Sequence, residues 1–321
     1  MNRASQPAQA SQPARAPRSI DAYLEQLQEA LKGADPALIQ DALYDAEEYL
    51  RAECAAHPEK SEADVLELIA STYGAPEEVA AAYRDTEAKV NAALRPVTPR
   101  SSESANPLRR FFAVYSDSRA YLSLFYMLLT LATGILYFVL VVAGVSLSAG
   151  LAILIIGVPF FLAFIGITRV ISLGEGRLLE TITGERMPRR PVHPGPITSW
   201  GSRIGAMLSD ARTWTTLLYF VLMLPLGMIY FGIATAGLSI GLKLLLAPFA
   251  VLGEDLGWFG RDYPNGLPFV LGHHWMHINW IESLFMLVFG VVVLTALMHL
   301  ARGMVRGHAR LAKALLVEPG A

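Results

Sequence analysis

The sequence contains a single cysteine, Cys54, among its 321 residues. One cysteine cannot form an intrachain disulfide, and a cysteine-based metal cluster needs several thiolates, so both are excluded. The chain also lacks a P-loop, a GxSxG nucleophile elbow, an HExxH zinc motif and a Rossmann glycine fingerprint. The absence of these motifs excludes the enzyme classes that they define. We therefore expect a protein without catalytic residues and without a cofactor.

The first 18 residues, MNRASQPAQASQPARAPR, lack the apolar run that forms the core of a signal peptide. They are rich in Ala, Pro, Gln and Ser, and such a composition cannot bury enough apolar surface to fold. We predict that residues 1–18 are a disordered tail and that no signal peptide is present.

Charged residues are nearly absent from four long stretches beyond Tyr121. Each stretch has about 20 residues or more, which is the length that a helix needs to cross a hydrocarbon core of about 30 Å. The sequence therefore predicts an all-α protein in which a small cytoplasmic bundle precedes a polytopic membrane domain. The four predicted spans are at about 122–143, 151–171, 214–236 and 281–300.

A fifth apolar segment, residues 240–252, contains Lys243 and Pro248. At about 13 residues it is too short to span comfortably. We interpret it as a re-entrant or interfacial helix, with a fifth span as the alternative. A lysine in an apolar segment marks a functional position by default, but near a helix end it can also snorkel to the interface.

Lys and Arg concentrate on one side of the predicted membrane domain. Arg261 is the only Lys or Arg in the two connections at 144–150 and at about 253–280, whereas the other flanks of the spans are basic. The positive-inside rule therefore predicts a multi-pass protein of the bacterial inner membrane with both termini in the cytoplasm. The basic flanks contain Arg109, Arg110, Arg119, Arg177, Arg186, Arg189, Arg190, Arg203, Arg212, Arg302, Arg306, Arg310 and Lys313.

A stretch of the first span recurs 93 residues later with its Gly, Tyr and Ser positions in register. Residues 134–150 read GILYFVLVVAGVSLSAG, and residues 227–241 read GMIYFGIATAGLSIG. Lipid solubility requires apolar bulk only, so the shared small and polar positions indicate an internal repeat. Because each copy contains two spans, we expect two hairpins of the same orientation, a parallel repeat. The second copy carries about 40 additional residues, which we assign to the outer loop at about 253–280.

The repeat extends to a charged pair before the first and third spans. Asp117 aligns with Asp210, and Arg119 aligns with Arg212. An aspartate at a helix start can cap the helix, and an arginine can reach lipid headgroups. We interpret these residues, with one lysine and two prolines of the apolar segments, as packing or signal positions. The lysine and prolines are Lys243, Pro159 and Pro248.

The histidines of the outer loop, His273, His274 and His277, are the candidate metal ligands. His273 and His277 are four residues apart and would share one face of a helix, where nearby carboxylates could complete a Zn²⁺ or Cu²⁺ site. The same histidines could sense pH, or simply lie at headgroup level. We place His308, beyond the last span, in an interfacial helix without a phosphoacceptor role.

Residues 19–94 predict four short helices, and residues 95–106 form a Pro/Ser linker. Between Arg18 and Arg95 there are 17 Asp or Glu against 7 Lys or Arg. Phosphate repels such an acidic surface, so we expect no direct nucleic-acid binding. The region is either a solvated bundle or a docking domain for a basic protein. Ser19, Asp35 and Ser61 with Asp64 are the predicted N-caps, and Gly33 and Gly74 the predicted C-terminal stops.

The soluble region resembles the HAAS-type helical signalling domain. The resemblance is carried by Tyr23-Leu24 with Leu27 and Leu31, by Ala42-Leu43-Tyr44-Asp45 with Glu47-Glu48, and by YGAPEEVA at 73–80. Residues 107–317 resemble the sensor domain that precedes many bacterial histidine kinases, and we expect this protein to have no kinase domain. The residues that carry this second resemblance are PLRR at 107–110, LYF at 136–138, IGVP at 156–159 and DARTW at 210–214.

The two resemblances imply a non-catalytic sensory or regulatory protein. Its cytoplasmic domain would pass a membrane or outer-loop signal to a regulatory protein or a separate kinase. Two alternatives remain open at this point: a small transporter or channel component, and a structural anchor for a protein partner. The bilayer is the other expected partner, and the protein is a candidate homo-oligomer.

Overall fold

The computed structural model describes residues 16–94, 107–151, 157–188, 190, 205, 208–258 and 278–317. Within these ranges the regular elements are all helical, which confirms the predicted all-α class. The chain divides into two compact units. The first contains the described residues up to 94 together with Arg190, and the second contains the others.

The first unit consists of helices α1 (Ile20–Ala30), α2 (Pro36–Ala56), α3 (Glu62–Ala70) and α4 (Pro76–Leu94). The predicted caps are confirmed. Ser19 and Asp35 each accept an amide hydrogen bond at the start of a helix, and Ser61 forms a capping box with Asp64. Gly33 and Gly74 have φ of 81° and 105°, the left-handed conformation that ends a helix at low cost for glycine. The buried core includes Tyr23, Leu27, Leu31, Ala42, Ala46, Leu50, Val65, Ile69 and Val79.

The second unit begins with α5 (Pro107–Phe112) and a 3₁₀ turn (Ala113–Ser116). Four long helices follow, and each is long and apolar enough to cross a bilayer, in agreement with the four predicted spans. They extend beyond the predicted ends, because their polar terminal turns continue the same helices. These helices are α6 (Ser118–Leu151), α7 (Gly157–Thr183), α8 (Ala211–Asp255) and α9 (Trp280–Leu316).

Residues 240–252 are part of α8, so their interpretation as a separate re-entrant or interfacial helix is wrong. The 45-residue α8 continues through this segment and contains both Pro225 and Pro248. Proline is tolerated inside such helices where neighbouring elements satisfy the freed backbone groups. Here the α8 backbone lies directly against α9, since a Cβ on Gly290 would be 3.0 Å from the carbonyl oxygen of Gly241.

Two glycines bring α6 and α8 into backbone contact. A Cβ on Gly134 would lie 2.5 Å from the carbonyl oxygen of Met223, and a Cβ on Gly227 would overlap the carbonyl oxygen of Thr130. Small residues permit such close approach between membrane helices. Thr130 on α6 contacts Gly227 on α8, and the later residue Gly134 contacts the earlier residue Met223. The two helices are therefore antiparallel where they touch. We expected the two hairpins to have the same orientation, and this contact does not show it.

Candidate functional site: a buried polar cluster

A cluster of six polar side chains lies inside the second unit, where lipid-soluble helices would be expected to pack with apolar groups. All four long helices contribute to it. Intramembrane ionisable groups are costly, so a buried acid and imidazole mark this place as a functional candidate. We call it the polar cluster; it consists of Tyr126 and Tyr137 on α6, Glu175 on α7, Tyr219 and Tyr230 on α8, and His308 on α9.

The first half of the polar cluster is built around Glu175, which is 3% exposed. The Tyr126 hydroxyl donates to Oε1 of this carboxylate at 2.5 Å, and the Tyr137 hydroxyl donates to Oε2 at 2.8 Å. Each oxygen of the buried acid therefore has its own phenolic donor. Hydrogen bonds to a carboxylate are short and strong, which lets α7 carry this group inside an apolar bundle.

The second half is built around His308, which is 1% exposed. Its Nε2 atom is 3.0 Å from the Tyr219 hydroxyl, and its Nδ1 atom is 3.4 Å from the Tyr230 hydroxyl. The Tyr219 hydroxyl also lies 3.4 Å from Oε1 of Glu175. Tyr219 thus connects the two halves. His308, predicted to lie on an interfacial helix, is on α9 with its side chain in the interior of the bundle.

One arrangement of protons satisfies every member of this chain of groups. His308 donates through Nε2 to Tyr219, Tyr219 donates to Glu175, and Tyr230 donates to Nδ1 of His308. The opposite arrangement reverses the Tyr219 bond toward His308 and leaves Glu175 with its two other phenols. The Tyr219 hydroxyl can therefore donate either to Glu175 or to His308, and both groups stay buried in either arrangement.

The two halves occupy matching positions in the sequence. Tyr219 and Tyr230 lie 93 residues after Tyr126 and Tyr137, and His308 lies 133 residues after Glu175. The offset of 133 equals the repeat offset plus the 40 additional residues of the second copy. A glutamate in one half thus faces a histidine in the other. The internal repeat remains a prediction, and these paired contacts are what it anticipates.

Two ion pairs join the hairpins at matching positions. Arg302 on α9 lies 3.1 Å from Asp117 before α6, and Arg169 on α7 lies 3.1 Å from Asp210 before α8. Each aspartate also accepts a 3.0 Å hydrogen bond from an amide of the helix that it precedes. The donors are the backbone amides of Arg119 and Arg212. Each aspartate therefore caps its own helix and pairs with the other hairpin, a partner that sequence reasoning did not identify.

The remaining candidates do not join the polar cluster. Lys243 is exposed on α8, and Pro159 is exposed in the first turn of α7, where proline is compatible with a helix. His273, His274 and His277 lie outside the described residues, so the proposed metal ligands are not placed by the structure. Within the described ranges no group of three or more His, Cys, Asp or Glu is arranged to hold a metal ion.

A second polar site lies in the first unit, on α2. Arg190, which follows α7 in the sequence, donates from its backbone amide to Asp41 at 3.0 Å and pairs with Asp45 through Nε at 3.0 Å. Its guanidinium lies 5.6 Å from the ring centre of Tyr44. The Tyr83 hydroxyl donates to Asp45 as well, and burial together with this carboxylate raises the pKa of Tyr83, so it stays a donor.

The polar cluster was missed because the second span was predicted to end at residue 171, before its charged residues. The buried face of α7 nevertheless continues at helical spacing through Thr168, Glu175, Leu179 and Ile182. A second signal was also present. The second copy of the repeat contains Arg310-Leu311 where the first contains Arg177-Leu178, and the residues two positions before these pairs are His308 and Glu175.

Comparison with known proteins identifies one family. A family model described as "putative sensor" matches residues 126–316, which is more than half of the chain. The match begins at Tyr126 and contains every residue of the polar cluster. No curated protein and no solved structure matches the chain. With its four membrane-crossing helices, the chain is a multi-pass membrane protein that belongs to the putative sensor family.

Proposed function

We propose that this protein is a non-catalytic sensory or regulatory protein of the bacterial inner membrane. The observation that carries the proposal is the polar cluster, which joins both hairpins of a chain from the putative sensor family. A sensor needs an element with two arrangements whose balance a signal can bias. The reversible Tyr219 bond between Glu175 and His308 supplies such an element. The predicted internal repeat would account for its two similar halves.

The output of the sensor is assigned to the first unit. We take α1–α4 as a HAAS-type signalling domain that docks a cytoplasmic regulatory protein or a separate kinase. Its acidic surface suits a basic protein face and disfavours nucleic acid. Within this unit, Arg190 is held on α2 by Asp41 and Asp45.

A strain that carries Glu175→Gln tests this function. The amide keeps an oxygen that accepts from a phenol but removes the charge, so we expect the switch to be held in one arrangement. RNA sequencing should then show the same transcript changes in this strain as in a deletion strain, with normal protein levels in the membrane. The matched control is Arg177→Gln, which removes a charge from the exposed side of the same helix and should leave transcripts unchanged.

A deletion strain with an unaltered transcriptome would contradict the sensory function. That result would favour the second candidate function, a small transporter. The specific observation in its favour is the hydrogen-bonded chain of titratable groups from Glu175 through Tyr219 to His308. Proton flux in proteoliposomes that is abolished by Glu175→Gln would establish transport. Loss of membrane attachment of a partner, with normal transcripts and no flux, would instead identify a structural anchor.

The orientation proposed for the membrane domain places both termini in the cytoplasm, as its basic flanks require. A fluorescent-protein fusion after Ala321 should therefore be bright, and an alkaline phosphatase fusion at Gly260 should be active. Phosphatase activity after Ala321 would contradict this orientation. That result would mean that α6 and α8, which are antiparallel at their contact, also cross the membrane in opposite directions.

A further inference from the structure

A cavity of about 340 Å³ opens between the end of α6 and the first turns of α7 and α8. Its volume is within the range of small-molecule sites. Among the described residues that form its wall, none carries a charged side chain, and most are aliphatic or aromatic. A neutral, largely apolar occupant fits such a wall. The wall includes Val145, Val158, Phe161, Ile165, Trp214 and Leu217.

Two hydroxyl groups of the cavity wall have no hydrogen-bond partner in the described structure. These are Oγ of Ser148 and Oγ1 of Thr213, and both atoms are buried. Thr213 is only 5% exposed as a whole. Other hydroxyls of the bundle bond to a carbonyl of their own helix, as Ser123 and Thr168 do. A buried hydroxyl left without a partner costs about 1–3 kcal/mol, so a bound oxygen atom that reaches one of these hydroxyls would be stabilised.

The residue that matches Thr213 in the other hairpin has no hydroxyl group. Ala120 lies 93 positions before Thr213 and is fully buried against Val114 and Met298. The hydroxyl group of Thr213 and the space beside it are therefore both absent at the matching position.

We propose that this cavity binds the apolar chain of a neutral amphipathic molecule, with its hydroxyl or carbonyl oxygen between Ser148 and Thr213. Each wall hydroxyl can donate to that oxygen, and where the oxygen belongs to a hydroxyl group one wall hydroxyl can instead accept from it. The apolar chain lies along Phe161, Ile165 and Leu217. A membrane lipid and a free long-chain alcohol share this chemistry. The binding site is independent of the proposed sensory function, because it is defined by binding and not by a cellular response.

Equilibrium binding of radiolabelled 1-dodecanol to the full chain in lipid nanodiscs tests the proposal, with dodecane as the probe that lacks oxygen. We expect saturable binding of the alcohol at one site per chain. Thr213→Val keeps the shape and removes the hydroxyl, so it should weaken alcohol binding about tenfold, equivalent to about 1.4 kcal/mol. It should leave dodecane binding unchanged. Thr216→Val, on the same helix and outside the cavity wall, is the matched control and should bind as the unaltered protein does.

Ser148→Ala provides a second conservative variant with the same expected effect. A further variant, Ala149→Phe, should fill the cavity and block both probes. The proposal is overturned if binding is not saturable, or if Thr213→Val and Ser148→Ala bind dodecanol as tightly as the unaltered chain. Mass spectrometry of bound lipid distinguishes the sources. A co-purified lipid that Ala149→Phe lowers identifies the bilayer as the source, and its absence with intact dodecanol binding identifies a diffusing alcohol.

Discussion

Glu175→Leu should be among the most destabilising substitutions in the membrane domain. The leucine side chain has a similar size but cannot accept the hydroxyls of Tyr126 and Tyr137, which now bond to the carboxylate at 2.5 and 2.8 Å. Each buried donor without a partner costs about 1–3 kcal/mol, so the two together cost about 2–6 kcal/mol. We expect a loss of several degrees in the temperature at which the detergent-solubilised chain leaves its native size-exclusion peak.

A double substitution separates lost hydrogen bonds from lost packing. Replacing both partners of a buried hydrogen bond by apolar groups can be nearly neutral. Glu175→Leu combined with Tyr137→Phe should therefore be more stable than Glu175→Leu alone. Glu67→Leu on the exposed side of α3 is the control for adding a leucine. Equal stability of the single and double variants would show that the carboxylate does not hold Tyr137.

Gly134→Ala should have the second large effect. The new methyl group would lie 2.5 Å from the Met223 carbonyl oxygen, closer than real Cβ contacts come, and a backbone atom cannot move aside as a flexible side chain can. Overpacking of this kind costs about 1–3 kcal/mol, and more where two backbones must separate. Gly227→Ala makes the reciprocal overlap with Thr130 and should lose a similar amount in the same heating assay.

Gly166→Ala is the matched control for both glycine variants. Gly166 is also in a long apolar helix, but nothing lies within 4 Å of the position that its Cβ would take. Alanine favours a helix over glycine by about 1 kcal/mol, so this variant should be as stable as the unaltered chain or more stable. If Gly134→Ala behaves like Gly166→Ala, the α6–α8 contact is looser than described.

The caps of the first unit were predictable because they depend on neighbours in the chain. Ser61 and Asp64 are three residues apart, and that spacing alone specifies the capping box. The left-handed conformation of Gly33 was equally local. The four spans were predictable for a similar reason, since length and apolar composition are enough to define a membrane-crossing helix.

Contacts between distant parts of the chain were not predictable in this way. Glu175 reads as the polar flank of a span unless the positions of Tyr126 and Tyr137 are known. A separate helix was expected at residues 240–252 because proline disfavours a helix interior and the segment is too short to span a bilayer. The segment instead continues α8, whose backbone packs against α9. The partner of Asp117 was similarly hidden, because its cap is local whereas Arg302 is on the last helix.

The reciprocal contacts between the hairpins set an order for assembly. Chains emerge from the ribosome N-terminus first, so α6 and α7 are made before α8 and α9 exist. During that interval Asp117 lacks Arg302, Arg169 lacks Asp210, and the surface at Gly134 lacks its neighbour. The first hairpin must therefore wait in an incomplete state, held by its own contacts, which include the bonds from Glu175 to the α6 tyrosines and the packing of Phe164 against Gly144. Membrane proteases that degrade incompletely assembled proteins would encounter this state first. Truncated chains that end before α8 should therefore be degraded most.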